Sequence, residues 1–278
     1  MSTRSDAPLV PAVERAVRLL DHLAEQQRAL SLAELAKALS LPKSSVHGLL
    51  HTLAALGLAM RDDRGEYALG PKPLHWAQAF ERQSSVIAAF NEAAQGFDAL
   101  RQETIMLAVL DGDEVLYLAC RPGSRALAVN FRVGGRFPAC FTSSGKAMLA
   151  TLARERVDAL TASALGRPMT RHSVASRAAL EAQLRTVRST GHAIDDEETA
   201  EGMHCFGAPV FAAGRSEAVA AVAVSLIKAA STPRPELIAA IMALAADVSR
   251  RLGAAASGAP ASGAPTPGAP NPQLASAA

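Results

Sequence analysis

The sequence predicts an α+β chain of two parts, and three observations carry that prediction. Residues 31–56 have the apolar spacing of two short helices joined by a tight turn, and a small hairpin follows directly. Residues 104–252 mix strand-like and helix-like stretches in an order that suits helices packed on an antiparallel sheet. The length of 278 residues suits about two domains.

Taken in order, Val13, Val17, Leu20 and Leu23, with Ala16 and Ala24, mark a first helix whose wetter side carries Arg15 and Arg18. Ser31 and Glu34 form an S-x-x-E capping box opening a second helix with Leu32, Leu35, Ala36 and Leu39 on its apolar face. Ser40 and Leu41 leave room only for a turn, and Pro42 suits the first turn of the next helix. There Val46, Leu49, Leu50, Leu53 and Leu56 keep helical spacing, and Gly57 supplies a stop. The opposite side carries Ser44, Gly48, His51 and Ala55, flanked by Ser45, His47 and Thr52. From residue 35 through residue 60 there is no Asp or Glu, whereas Lys37, Lys43, His47 and His51 fall in that span. A DNA major groove accepts such a face, because hydroxyls bond phosphates or base edges and nothing repels phosphate. A helical hairpin in a globular core shares the pattern. Residues 58–61 and 66–69 then read as short strands around the turn Asp62-Asp63-Arg64-Gly65. A helix-turn-helix followed by a hairpin is a winged helix, and Arg61 and Arg64 could reach the sugar–phosphate backbone.

Composition narrows the classes. Hydrophobic residues make up 49% of the chain, enough for proper cores, while the formal charge is only +2. Nucleic-acid binding would therefore rest on local arrangement rather than a basic bulk. Cys120, Cys140 and Cys205 are widely spaced, which disfavours a disulfide framework and fits a cytoplasmic protein. No run approaches the length of a membrane span, and the N-terminus has no apolar signal region. Residues 253–278 are nearly all Gly, Ala, Pro and Ser and are expected to be a disordered tail.

Residues 74–101 read as one or two connecting helices, broken near Ser84 or Gly96. Residues 105–110, a turn at Asp111-Gly112-Asp113, and residues 114–121 read as strand, turn and strand. Residues 143–152, 154–164 and 177–190 are expected to be helical, 209–211 and 218–226 extended, and 235–252 a final amphipathic helix.

Two clusters in this part are candidates for chemistry. Thr142-Ser143-Ser144-Gly145-Lys146 precedes a helix, and free N–H groups at a helix start make an anion seat. The S-x-x-K it contains lacks the S-D-N and K-T-G partners of a β-lactamase-like site. A phosphate loop is incomplete, since Cys140 stands where its first Gly belongs. Asp195-Asp196-Glu197-Glu198 reads most simply as a solvated loop. His192, Asp195, His204 and Cys205 are metal-ligand types, but their spacing matches no compact zinc pattern, and neither metal nor cofactor is expected. One carboxylate and one thiol facing a pocket to bond a small polar ligand is the third reading.

Together these blocks resemble the IclR family of bacterial transcription regulators over residues 13–252. The resemblance rests on Leu41-Pro42-Lys43-Ser44-Ser45-Val46-His47, Tyr67-Ala68-Leu69-Gly70 and Leu107-Ala108-Val109-Leu110-Asp111-Gly112-Asp113-Glu114-Val115. It continues in Arg132-Val133-Gly134, Thr142-Ser143-Ser144-Gly145-Lys146-Ala147 and Gly191-His192-Ala193-Ile194-Asp195-Asp196-Glu197-Glu198. Gly202, Cys205 and Ala208-Pro209-Val210 complete it. The resemblance implies a flexible start over 1–10, a winged helix over 11–72, a helical linker and dimerisation segment over 73–101, and a GAF-like effector domain over 102–252. It implies a homodimer or homotetramer on double-stranded operator DNA, read by Lys43, Ser44, Ser45, His47, Gly48, His51 and Thr52. It also implies a small carboxylic acid effector held by Ser143, Ser144, Asp195, Cys205, Ala223 and Ser225. Val129, in the small apolar segment 126–131, would cover the ligand. Gly48 and His51 stand where Arg is common, and Ala223 where Ser is frequent. The greasier wall suits an aromatic or branched acid. The expected function is a ligand-responsive repressor, rather than activator, of a catabolic pathway. The competing readings are a ligand-binding module without DNA binding and a Ser/Lys hydrolase.

Overall fold

A computed structural model describes residues 9–26, 28–124, 131–228 and 235–254, and the chain divides into two compact units, Met1–Ser84 and Ser85–Ala278. The first contains α1 (Pro11–Glu25), α2 (Leu32–Leu39), α3 (Lys43–Ala55), β1 (Ala59–Arg61), β2 (Tyr67–Leu69) and α4 (Lys72–Gln83). The capping box forms in both directions: Ser31 Oγ accepts from Glu34 N–H at 3.3 Å, and Glu34 Oε2 accepts from Ser31 N–H at 2.8 Å. Ser40 takes the left-handed conformation that turns α2 into α3, with φ at 54°. Leu19, Leu35, Val46 and Leu50 close the core between the three helices.

The wing forms as an antiparallel pair with Ala59 opposite Leu69. Its turn is organised by Asp62, whose Oδ1 accepts from Arg64 N–H at 3.0 Å and Glu66 N–H at 2.8 Å. Leu30 bridges to Tyr67 and adds an outer rung that the sequence pattern does not show. Gly70 closes the wing because the chain runs tightly over its own backbone: a Cβ there would lie 2.3 Å from the Gly57 carbonyl oxygen.

The apolar stripe expected on α1 divides. Leu19 and Leu23 are buried, whereas Val13 and Val17 are exposed together with Leu9 and Val10. Three short helices cannot cover an apolar face that wide. Leu56 is also exposed, because it lies beyond the last turn of α3 at the cap.

The second unit is built on a six-stranded antiparallel sheet in the order β5-β4-β3-β8-β7-β6. Its strands are β3 (Thr104–Asp111), β4 (Glu114–Arg121), β5 (Arg136–Pro138), β6 (Ala193–Asp196), β7 (Met203–Val210) and β8 (Ala220–Ile227). One face, with Ile105, Leu107, Phe206 and Val222, is covered by α5 (Ser85–Ala94) and α9 (Pro235–Arg251). The other, with Met106, Ala108, Tyr117 and Ala221, is covered by α6 (Ser143–Leu149), α7 (Arg154–Thr161) and α8 (Arg177–Thr190). The α+β architecture is the one the sequence predicts. No helix among the described residues is long and apolar enough to cross a membrane.

Three differences bear on the site. The connecting helices break at Ser84, as expected, but α5 beyond the break puts Ile87 and Phe90 into the second core instead of standing as a connection. β7 begins at Met203 rather than near residue 209, since Gly207 and the unalternating run around it hide the strand. Asp195 and Asp196, expected in a loop, lie on β6. Strand pairing there overrides the low intrinsic preference of Asp for strands.

Candidate nucleic-acid interface and candidate ligand pocket

Helix α3 presents two unlike faces. Val46, Leu50 and Leu53 are buried, while Lys43, Ser44, His47, Gly48, His51 and Thr52 are exposed and Ser45 is half-buried. The helix carries no carboxylate. Gly48 faces open space, since a Cβ built there meets nothing within 4 Å. Packing within the chain therefore does not require a glycine that costs the helix about 1 kcal/mol relative to Ala. Arg64 is exposed at the wing turn, as are Arg15 and Arg18 on α1. Arg61 folds back over its own hairpin, with Nε donating to the Gly65 carbonyl at 3.4 Å and its guanidinium 5.6 Å from the Tyr67 ring centroid.

In the second unit, two close backbone approaches position the start of α6. A Cβ on Gly145 would lie 2.1 Å from the Ala139 carbonyl oxygen, and one on Gly207 would lie 2.7 Å from the Ser143 carbonyl. Glycine at 207 lets α6 rest directly on β7, and glycine at 145 lets it close against the backbone of Ala139. Thr142 Oγ1 accepts from Gly145 N–H at 3.0 Å and caps the helix. Facing this turn, the register aligns Asp195, Cys205, Ser225 and Thr104 in one row across four strands. Ala223 sits in the next row, between Gly207 and Met106. The sheet thus brings together Ser143, Ser144, Asp195, Cys205, Ala223 and Ser225, all buried. Val129 lies outside the described residues.

The polar groups of this row are unequally satisfied. Cys205 Sγ and Ser225 Oγ are 3.2 Å apart, and burial pushes the Cys205 thiol well up, keeping it protonated. Asp195 Oδ1 accepts from Glu198 N–H at 2.8 Å and Thr199 N–H at 3.2 Å, and its Oδ2 from the Thr199 hydroxyl at 2.6 Å. Burial raises the Asp195 carboxyl above its ordinary value, against those bonds and the Lys146 charge, which lower it. Ser144 Oγ is buried and makes no hydrogen bond of ordinary geometry, although it lies within reach of the Tyr117 hydroxyl. Beside it lies the buried Tyr117 hydroxyl, whose ring packs edge-on against Phe131 at 5.2 Å and against Phe137 at 5.8 Å.

Tyr117 and Thr199 are missing from the sequence reading. Alternation in residues 115–119 places Val115 and Tyr117 on one face, which is the signal that could have found the first. Also unforeseen is the ion pair of Lys146 and Glu198, both almost fully buried. The four-acid run is therefore not a solvated loop. Asp195 and Glu198 are inside, while Asp196 and Glu197 are outside with Lys228 at 2.8 and 2.7 Å. Lys146 Nζ is spent on Glu198 and the Ile194 carbonyl, which leaves the S-x-x-K pattern an anchor rather than a base. Strand alternation puts Asp195 and Cys205 on one face and His204 on the other, so that ligand set does not converge.

Residues 12–63 match the IclR helix-turn-helix domain, and residues 82–250 match the bacterial transcriptional regulator IclR C-terminal family. The HTH-type transcriptional regulator XynR of Escherichia coli strain K12 is 32% identical over 227 residues, 79% of this chain and 87% of that protein. Among solved structures, the Agrobacterium tumefaciens repressor BlcR is 36% identical with a TM-score of 0.57, covering 89% of this chain and 99% of its own. An IclR homologue from Microbacterium hydrocarbonoxydans, complexed with 4-hydroxybenzoate, shares the fold at 21% identity with a TM-score of 0.69, covering 88% of this chain and 100% of its own.

Proposed function

This chain belongs to the IclR family of bacterial transcription regulators, and from that premise we propose that it represses a catabolic operon until a small organic acid binds its second unit. The observation that carries the DNA-binding half is the exposed, acid-free face of α3 with Gly48 opening onto free space. Two copies, as a homodimer or within a homotetramer, place their α3 helices in successive major grooves roughly 34–36 Å apart. Ser44, Ser45, His47, His51 and Thr52 meet base edges and phosphates, and Lys43, Arg15, Arg18 and Arg64 meet phosphates. We assign residues 11–72 to DNA binding, 102–252 to effector binding, and α4 to connection and dimerisation.

The effector is a carboxylic acid with an aromatic or branched body. Its carboxylate accepts from the N–H and hydroxyl groups of Ser143 and Ser144 and from the Tyr117 hydroxyl; what supports the reading is that Ser144 Oγ is buried, makes no hydrogen bond of ordinary geometry and lies within reach of Tyr117. Ser225 and Cys205 bond its near edge, and Met106, Ala223 and Phe131 provide apolar contact. Asp195, with both oxygens engaged, sets the loop through Thr199 and makes the pocket sensitive to charge. Binding couples two sites without any chemistry being performed. Gel shift on fragments selected from the genome tests the reading, with 4-hydroxybenzoate as the first effector probe. Loss of fragment binding in His47→Ala and His51→Ala, with the fold intact, is expected. Unchanged affinity in both would exclude α3 as the reading helix.

A further inference from the structure

Helices α7 and α8 carry five arginines, no lysine and three acids, in a chain whose formal charge is only +2. A cleft of about 470 Å³ lies between them, with Arg154, Arg177, Arg185, Asp158 and Glu181 in its lining. Spacing explains the gathering. Arg154 and Asp158 are four apart on α7, and Arg177, Glu181 and Arg185 are four apart in turn on α8, so each set forms one stripe.

The ion pairs of the cleft do not balance. Arg177 is spent on Asp158 Oδ2, and Arg188, one turn along the α8 stripe, on Glu181 Oε1 at 2.8 Å. Arg154 reaches the same Asp158 oxygen only at 3.9 Å, and Arg185 makes no ion pair among the described residues. The Arg188 hydrogen bond first, and then the charges of Arg188, Arg185 and Arg154, hold the Glu181 carboxyl below its ordinary value, which gathers all three guanidiniums around it. Four guanidiniums thus meet two carboxylates. The excess stays positive when Glu155 is counted as well, although that acid is exposed and outside the lining.

That excess selects the charge of a ligand. A cation is repelled, and a neutral molecule leaves the guanidiniums as they are. A phosphate monoester brings a charge of about −2 and oxygens that match the planar fork of arginine, which is the cation used here throughout. We propose that this cleft is a second small-molecule site, taking the phosphate monoester of a small polyol of about hexose size. The phosphate accepts from Arg185 and Arg154, the unpaired and the loosely paired guanidinium. Hydroxyls of the body donate to Asp158 Oδ1 and Glu181 Oε2, the carboxylate oxygens that the ion pairs leave unused. Val157, Ala178 and Leu180 form the apolar floor beneath. The cleft shares no residue with the acid pocket.

Calorimetry on the full chain with D-glucose 6-phosphate, D-glucose and inorganic phosphate tests the site. The sugar phosphate should saturate in the millimolar range or tighter, roughly tenfold more tightly than inorganic phosphate, while D-glucose should not bind. Arg185→Ala and Arg154→Ala should each weaken it about tenfold, and Arg185→Ala breaks no ion pair of the fold. Binding should also tighten from pH 5 to pH 8, because the second phosphate proton leaves at about pH 6. Four results overturn the proposal: the sugar phosphate does not saturate, both variants bind it unchanged, inorganic phosphate binds as tightly, or 4-hydroxybenzoate displaces it. A shallower salt dependence of operator binding in the two variants, without any sugar phosphate bound to the parent, would give the face to DNA instead and equally overturn it.

Discussion

At the scale of single residues, Gly48 separates fold from function most sharply. Nothing within 4 Å would meet a Cβ there, so Gly48→Ala should raise stability by about 0.5–1 kcal/mol through helix propensity alone. If DNA approaches that surface closely, the same variant should bind operator more weakly. Thermal melting paired with gel shift reads both, and a more stable protein with unchanged affinity would mean that the helix stands off from the bases. In the proposed binding mode Tyr117→Phe removes one donor to the effector carboxylate, and hydrogen bonds to charged groups are worth about 1.5–3 kcal/mol. Acid affinity should fall by about tenfold or more with little change in melting temperature, as calorimetry can measure. Asp195 adds a pH dependence of definite sign. Its pKa is raised by burial, and a bound anion nearby raises it further, so binding takes up a proton. Effector affinity should therefore be greatest at low pH and decline as pH rises through the raised value. A flat titration from pH 5 to 8 would remove Asp195 from the effector's reach.

At the scale of elements, the anchoring of α6 to β7 decides whether the pocket exists. Gly207 allows the Ser143 carbonyl to sit against the strand, and a Cβ would need the backbone to move. Gly207→Ala should destabilise the second unit and weaken acid binding together, measurable as a lower denaturation midpoint and a raised Kd. The Lys146–Glu198 pair pins the same helix to the β6 edge. Removing one partner of such a pair typically costs about 3–5 kcal/mol, because the other charge stays buried. Lys146→Met should therefore unfold far more readily than the paired Lys146→Met, Glu198→Gln variant. Equal loss in both would show that Lys146 contributes packing rather than charge pairing. The helices were legible in the sequence where capping and spacing agreed, as in the capping box of Ser31 and Glu34 that opens α2. β6 and most of β7 were not, because Asp195, Asp196 and Gly207 are poor strand residues held there by their neighbours.

At the scale of the whole molecule, the apolar surface left over is informative. On α4, Leu74, Trp76 and Phe80 are exposed, Trp76 by 49%, and no α4 residue is buried. Trp76 therefore fills no core of its own unit. Together with Leu9 and Val10 before α1 and Val13 and Val17 on it, these side chains suit a partner subunit, since aromatics concentrate at interface centres. Trp76→Ala should leave effector affinity intact and reduce the effect of effector on operator binding, with coupling falling from ~1–3 kcal/mol toward zero. Operator affinity measured with and without acid, beside sedimentation to follow assembly, decides this. An unchanged ligand response in a dimer of unchanged strength would exclude α4 from the coupling.

Local or periodic features were legible in the chain itself: the capping box, the α3 face without acids and the Asp62 turn of the wing. Each follows from contacts a few residues apart or from a spacing that a helix or strand converts into a face. Which groups are left over after long-range pairing is settled by the folded arrangement alone. The row from Asp195 to Thr104 depends on the register of four strands from separate parts of the chain. The Lys146–Glu198 pair and the unpartnered Gln183 acceptor likewise arise where α6, α8 and β6 meet. Burial makes those leftover groups matter, because a charge or donor hidden from water must find its partner inside the fold or in a ligand.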